Sequence, residues 1–363
     1  MDLVITSLGM LSSVGHNVVT SCASIRAGLT RRREISYFSE LDLDTQDSTP
    51  IIGCPIHGYT EGFVIPGLWV RMALSSLNNL VEYGRLPDRT NTRFWSKTGI
   101  IGVTPPPYDP RLGADEDCTS EDVKEAYLHS LLDVFNYPIL QYNLGIICTG
   151  HSGAIAAIGQ AELMMAVQDL ERIIVVAVDS YLDPMSLDWL DEHRRLKTSE
   201  NPAGLTPGEA GACFMLESRN SCQSRGASLQ ACVKKSAVAT ENDHYFTDKQ
   251  NQGVALSAVI IQAFSKSSVT LPFAGKVISN LNGEQWRAYE LGVARVRATE
   301  SLSPMSDFIY PCDSLGEIGA ASGTVAICIA TRLLQCGYVR EDAVLVSLSS
   351  DYGQVGAVYI TRE

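Results

Sequence analysis

The sequence predicts an α/β protein in which one strand–turn–helix unit occurs twice, and three observations point there. The first is the segment 144–161, LGIICTGHSGAIAAIGQA. An apolar run meets a tight Thr-Gly-His-Ser-Gly turn and then a small-residue helical pattern. A strand entering a helix through such a turn holds one side chain at the helix N-terminus. Four unpaired N–H groups and the positive end of the helix dipole converge there. Enzymes place nucleophiles and oxyanion sites at such corners, and here the side chain is His151. The second observation is an internal echo. A shift of 170 positions lays Ser152-Gly153 on Ser322-Gly323, Leu163 on Leu333, Glu171 on Glu341, Val176 on Val346 and Ser180 on Ser350. Both copies read as turn, helix, charged loop and buried strand, a pattern that an ancient duplication explains. The third is size: 363 residues, 45% hydrophobic and 19% charged, suffice for two domains or one large duplicated α/β unit.

Element by element, residues 3–7 predict a short strand, followed by Gly9, Gly15 and a helical stretch through Ala27. From Arg31 to Arg111 the text is irregular and rich in proline, with one amphipathic helix at 68–83. A second helix is expected at 120–135, with Leu128, Leu131 and Leu132 on one face. After the corner comes the apolar strand 173–178, ending at Asp179-Ser180. Residues 206–217 give a turn and a further strand. The polar break 218–225 is the expected boundary between an N-terminal half, 1–218, and a C-terminal half, 226–363. A strand at 228–233 and a helix at 253–264 open the second half.

The formal net charge of −13 argues against nucleic acid and anionic membrane surfaces as partners, since both reward basic patches. The basic clusters Arg31-Arg32-Arg33 and His193-Arg194-Arg195 read as solvated loop or helix ends, although a basic spot would suit an acidic carrier protein. Ten cysteines are scattered without a CxxC pair or metal-ligand spacing, as expected of reduced, mostly buried thiols in a cytosolic protein. No signal peptide or membrane-length apolar run is read, and no GxGxxG or P-loop. The expectation is a soluble, cytoplasmic, acidic protein with no cofactor and no metal.

Four segments then combine: residues 5–15, ITSLGMLSSVG; residues 207–217, PGEAGACFMLE; residues 280–284, NLNGE; and residues 314–323, SLGEIGAASG. In this order they resemble the thiolase superfamily, specifically its β-ketoacyl synthase branch. The resemblance runs from the first strand to the last helix. It implies a duplicated five-layer α/β/α/β/α fold, a dimer formed through the strand after the first corner, and an acyl tunnel above that corner. It further implies a substrate carried as a thioester on an acyl-carrier protein or coenzyme A.

The family's chemistry uses a corner cysteine to take the acyl group, and two histidines to stabilise the enolate formed on decarboxylation. In this chain the cysteine position reads His151, the histidine positions read Asn282 and Glu317, and the expected lysine reads Cys312. A three-residue slip would instead bring Cys148 to the corner. With the warhead replaced, ordinary decarboxylative condensation is not expected. A degenerate or partner subunit in fatty-acid or polyketide-type metabolism is expected, as a homodimer or as a heterodimer with an active synthase. In that inert reading His151, Asn282 and Glu317 fill space and satisfy backbone groups.

Two catalytic readings stay open beside it. A histidine at a helix N-terminus meets positive potential, which favours the neutral imidazole and suits it to general-base work. Asn282 could donate to an acyl carbonyl and Glu317 could orient the ring. That trio would serve an acyltransferase or thioesterase, because a carboxylate there repels a developing enolate. Alternatively, Gly150-His-Ser-Gly153 partly resembles a nucleophile elbow, with Ser152 as nucleophile, Asp179 as acid and His193 or His244 as base.

Overall fold

The computed structural model describes residues 2–41, 48–113, 117–247, 249–265 and 269–363. Among these, twelve strands run in chain order: β1 Leu3–Ser12, β2 Arg33–Leu41, β3 Ser48–Gly53, β4 Thr98–Val103, β5 Leu144–Ile147, β6 Arg172–Ser180, β7 Glu209–Ser218, β8 Ala231–Thr240, β9 Lys276–Ser279, β10 Asp307–Ile309, β11 Ala343–Ser349 and β12 Gln354–Thr361. β2 and β3 form a separate antiparallel pair. The other ten form one sheet in the order β10-β9-β11-β12-β8-β1-β7-β6-β4-β5.

That order is the same five-strand pattern read twice. In each half the first strand of the series pairs with the fifth, the fifth with the fourth, the fourth with the second, and the second with the third. Directions agree as well. β4 is parallel to β5 and β6, and β6 is antiparallel to β7; β9 is parallel to β10 and β11, and β11 is antiparallel to β12. The two series join where β1 meets β8 over Leu3↔Val233, Val4↔Cys232 and Ile5↔Ala231.

Strands covered on both faces read as continuous apolar text, and all residues of β1, β6 and β11 are buried. Two helices, Gly153–Val167 and Ser322–Gln335, touch strands of both series and form the middle layer. Their small and branched residues join both half-sheets in one core, among them Ala154, Ala157, Ala161, Ala326 and Ala330. The helix Gly67–Tyr83 covers the outer face of the first half-sheet, and Val254–Ala263 with Gln285–Arg297 covers the second. The result is five layers, α/β/α/β/α.

Close packing explains one glycine well. A Cβ at Gly9 would lie 2.0 Å from the backbone oxygen of Ser76, so only glycine lets β1 approach the Gly67–Tyr83 helix this closely.

Several expected elements need correction. β1 continues to Ser12, because both its faces are covered. The helix expected at 120–135 is broken by a π-helical segment, Lys124–His129. The polar break is itself a short helix, Arg219–Ser224, capped by Ser218, whose hydroxyl accepts from the Ser221 N–H at 3.1 Å. The strand expected at 228–233 starts at Ala231 and runs on to Thr240.

The corner repeat is offset by one from the gapless alignment. The turn Gly150–Ser152 corresponds to Gly319–Ala321, which puts His151 opposite Ala320. Subunit pairing through residues 173–178 is excluded, since β6 is hydrogen-bonded on one side to β4 and on the other to β7. The open edges of the sheet are β5 and β10.

Candidate active site

The two corners face each other across the middle layer, and each opens with a left-handed glycine, Gly150 at φ 67° and Gly319 at φ 48°. His151 sits in the first turn with only 3% of its surface exposed. Its Nε2 lies 3.0 Å from Glu317 Oε1. An ionised carboxylate only accepts, so Nε2 carries the proton in this pair. Glu317 Oε1 also accepts from the Gly319 N–H at 2.8 Å, and Oε2 accepts from Asn282 Nδ2 at 2.5 Å. Burial alone pushes the Glu317 carboxyl up, but His151 and Arg287 outweigh it and hold it at about 2.

Asn282 continues the chain. Its amide donates to Glu284 Oε2 at 2.9 Å, and its oxygen accepts the Glu284 N–H at 3.1 Å. Glu284 takes both arms of the Arg195 fork at 2.7 Å each. Arg195 reaches Asp351 at 2.8 Å, and Asp351 also accepts from Arg287 at 2.5 Å. The Asp351 carboxyl is therefore held well below its usual range, the two arginines overcoming its burial. On the other side, Arg111 bridges Asp109 at 3.0 Å and Asp179 at 3.4 Å and lies 3.8 Å over the Tyr181 ring. Asp179 also accepts the Ala320 N–H at 2.9 Å; burial nevertheless raises its carboxyl to about 6.

The structure thus brings His151, Glu317 and Asn282 together, as the register of the motifs implied. Among the described residues, the cavity that His151 lines is too small for an acyl chain. The cavity beside His151 measures about 10 Å³, bounded by Pro106, Arg111, Ser350, Asp351 and Tyr352. That is room for about one water. Above it Tyr352 stacks on Phe246 with ring centres 4.5 Å apart, and Tyr108 meets Tyr352 edge-on at 5.4 Å.

The remaining candidates separate. Ser152 donates to the Gln354 carbonyl at 3.1 Å and lies 3.3 Å from the Ser350 hydroxyl. Among the described residues no histidine is hydrogen-bonded to it. His193 stacks on Trp189 at 4.1 Å, and His244 accepts from the Phe246 N–H. The proposed serine triad is not assembled, because its acid is engaged by Arg111 and its bases lie on other elements. Cys148 precedes the turn and accepts from the Thr104 hydroxyl at 3.3 Å. Burial pushes its thiol up, and it does not occupy the apex. Burial likewise holds the Cys312 thiol well above its usual range.

Sequence reading missed Arg195, Glu284, Arg287 and Asp351. The first had been assigned to a solvated cluster, yet it is 3% exposed. One signal was available: Ser349-Ser350-Asp351 ends an apolar strand much as Val178-Asp179-Ser180 does. Among the described residues no cluster of His, Cys, Asp or Glu has metal-site geometry, and no helix is long and apolar enough to cross a membrane.

No family model and no curated protein matches the chain. Solved structures do. A ketosynthase/chain length factor described for ishigamide superposes with TM-score 0.78 at 14% identity, over 100% of this chain and 99% of that one. A chain from a type II polyketide-synthase acyl-carrier protein in complex with its ketosynthase, bound to a hexaketide, gives 0.77 at 13%, over 100% and 99%. The module 6 ketosynthase of the Bacillus subtilis 168 bacillaene synthase gives 0.75 at 13%, over 100% and 72%. The chain has the thiolase-like ketosynthase fold. Within that fold His151 sits in the turn of the first corner, with its Nε2 hydrogen-bonded to Glu317.

Proposed function

We propose that this protein is a non-condensing, ketosynthase-fold partner subunit for acyl-thioester metabolism of the fatty-acid or polyketide type. It pairs with a cysteine-bearing synthase and helps to shape that subunit's acyl pocket. One observation carries this reading: the apex that would hold a nucleophile holds an imidazole locked to Glu317, with about 10 Å³ of space beside it.

Decarboxylative condensation needs a thiolate, free oxyanion donors and room for a chain. Here the side-chain donors of His151 Nε2 and Asn282 are spent. The Asn282 amide faces two carboxylates, and an ionised Glu317 repels an enolate. The exterior supports assembly. β5 is an open edge, and near it Tyr142, Leu163 and Val167 are 70%, 67% and 81% exposed, a surface suited to burial against another subunit. Two of the similar structures are a ketosynthase/chain length factor and a ketosynthase complexed with an acyl-carrier protein. An acyl-carrier protein reaching the assembled pair is the matching partner here.

Co-expression with a cysteine-containing synthase tests the proposal. A stable heterodimer is expected, and intact mass after exposure to acyl thioesters should show the adduct on the synthase alone. Ketoacyl product formed by this protein by itself, and lost in His151→Ala, would overturn it.

The His151–Glu317 pair favours one second reading, imidazole-assisted transfer or hydrolysis of an acyl thioester, with Glu317 orienting the ring. Thioester hydrolysis that disappears in His151→Ala and persists in Ser152→Ala would support it.

A further inference from the structure

The outer helical layer of the second half turns two apolar rows to solvent. The Val254–Ala263 helix reads VALSAVIIQA and contains no charged residue. Its inward face packs on β8 and β12 through Leu256, Val259 and Ile260. Its outward face shows Val254, 52% exposed, with Ala258 and Ile261 also exposed. On the Gln285–Arg297 helix, Tyr289, Gly292 and Val296 form a second exposed row, Val296 at 75%. Spacings of three and four residues put each set on one helix face. The helix that holds the corresponding place in the first half, Gly67–Tyr83, differs: its exposed positions are Gly67, Asn78 and Glu82.

The two helices touch backbone to backbone. Gly253, which caps the first of them at φ 60°, would carry a Cβ only 2.8 Å from the Glu290 oxygen and the Ala294 nitrogen. Two arginines flank the second row near its C-terminal end. Arg297 Nε donates to the Gln252 carbonyl at 2.9 Å on the side of the first helix. Arg295 turns the other way, donating to the Pro304 carbonyl at 3.4 Å and lying 4.4 Å over the Phe308 ring. Both spend donors on carbonyls, and Glu300, three residues after Arg297, is the acid at this end. The rim is therefore positive in a chain whose net charge is −13. At 1.5 Å per residue and about 10 Å of width, helices of ten and thirteen residues present on the order of 350 Å². An exposed apolar face of that size marks an interaction site.

We infer that these two helices form the docking groove for one amphipathic helix of a partner protein, apolar on one face and acidic along its flanks. The footprint selects a helix over a second copy of the chain, because a stable dimer buries about 800 Å² per partner, whereas a helix laid in a groove needs only a few turns. The small residues Ala258 and Gly292 let its backbone come close, and Val254, Ile261 and Val296 meet its apolar face. The two arginines select acidic flanks. An anionic membrane is disfavoured by the net charge of −13. The groove covers β8, β11 and β12 rather than the β5 edge, so it is independent of the synthase-partner proposal, and either can fail without the other.

The test is fluorescence anisotropy of the full chain with two labelled synthetic helices of about four turns, each with leucines along one face. One carries glutamates along the flanks of that face and the other carries lysines. At about 0.15 M salt, screening to about 8 Å leaves the rim arginines acting while the distant acids of the chain are muted. The acidic helix is expected to saturate one site, and the lysine helix to bind at least tenfold more weakly. Val296→Glu and Ile261→Glu, at exposed positions, should each weaken the acidic helix at least tenfold without lowering the melting temperature. Arg295→Gln combined with Arg297→Gln should erase most of the preference between the two helices. Absence of saturable binding would overturn the proposal. So would a lysine helix bound as tightly as the acidic one, full affinity in both glutamate variants, or an unchanged preference in the arginine variant. A dimer in sedimentation velocity, or adhesion to phosphatidylglycerol vesicles, that Val296→Glu abolishes would overturn it as well, by showing a different occupant. The peptide comparison on the unaltered protein decides the matter even if a variant folds poorly.

Discussion

Replacing Glu317 by glutamine should cost stability in a way that depends on pH. The Glu317 carboxyl is held at about 2 against an ordinary value of 4.5. At about 1.4 kcal/mol per pH unit, that difference stabilises the fold by on the order of 3 kcal/mol. The folded value is the lower one, so the unfolded chain takes up the proton first as acid is added. The stabilisation is complete above about pH 4.5 and is lost as pH falls toward 2. Glu317→Gln cannot titrate, and its amide would turn a donor toward either the His151 ring or the Asn282 amide. Urea unfolding at pH 6, 5, 4 and 3, followed by tryptophan fluorescence, should show the native protein more stable at pH 6 by about 3 kcal/mol. The gap should hold between pH 6 and pH 5 and narrow below about pH 4.5 toward pH 3. A gap of equal size at pH 6 and pH 3, or a variant as stable as the native chain at pH 6, would refute the assignment of Glu317 as an ionised member of the network.

Asp179 should behave in the opposite sense. Its folded value is raised from 3.8 to about 6, so ionising it costs the fold on the order of 3 kcal/mol, reached as pH climbs through that window. The stability of the native chain relative to Asp179→Asn should therefore fall between pH 4 and pH 6 in the same assay. His151→Cys puts a thiol at the corner but leaves Glu317 without its ring partner, and the space opened is only that of the lost ring beside a native cavity of about 10 Å³. It should take up no acyl group from a soluble thioester, by intact mass, and should lose about 3 kcal/mol. Two glycine substitutions separate close packing from backbone strain. Gly9→Ala meets the Ser76 oxygen at 2.0 Å and should cost about 3 kcal/mol or more. Gly150→Ala has no atom nearer than 3.6 Å but keeps φ at 67°, and should cost about 1 to 2 kcal/mol in denaturant unfolding.

Much of the architecture was legible because it rests on local signals. The glycine turn at 149–153 and the small-residue helix after it are local, and so is the apolar text of β6. The proximity of His151, Asn282 and Glu317 was legible through motif order, and the structure joins them by hydrogen bonds through Glu317. The network beyond it was not. Arg195 bonds Glu284 and Asp351, 89 and 156 positions away. A charged side chain reads as exposed until its distant partner is known. The run of residues 120–135 reads as one regular helix because its leucines keep helical spacing, whereas the structure interrupts it with the π segment Lys124–His129.

Alternation, turn glycines and paired strand–helix units along the chain mark most of the segments that become strands and helices, and they mark the glycine turn that carries His151. Those properties depend on near neighbours, and any chain with this text would carry them. Tertiary packing decides what the corner can hold. Only the meeting of the two halves sets Glu317 against His151, buries the Arg195, Asp351 and Arg287 charges together, and lays Tyr352 and Phe246 over them. Space and charge compensation are properties of surfaces brought together from opposite ends of the sequence, and no single segment contains them.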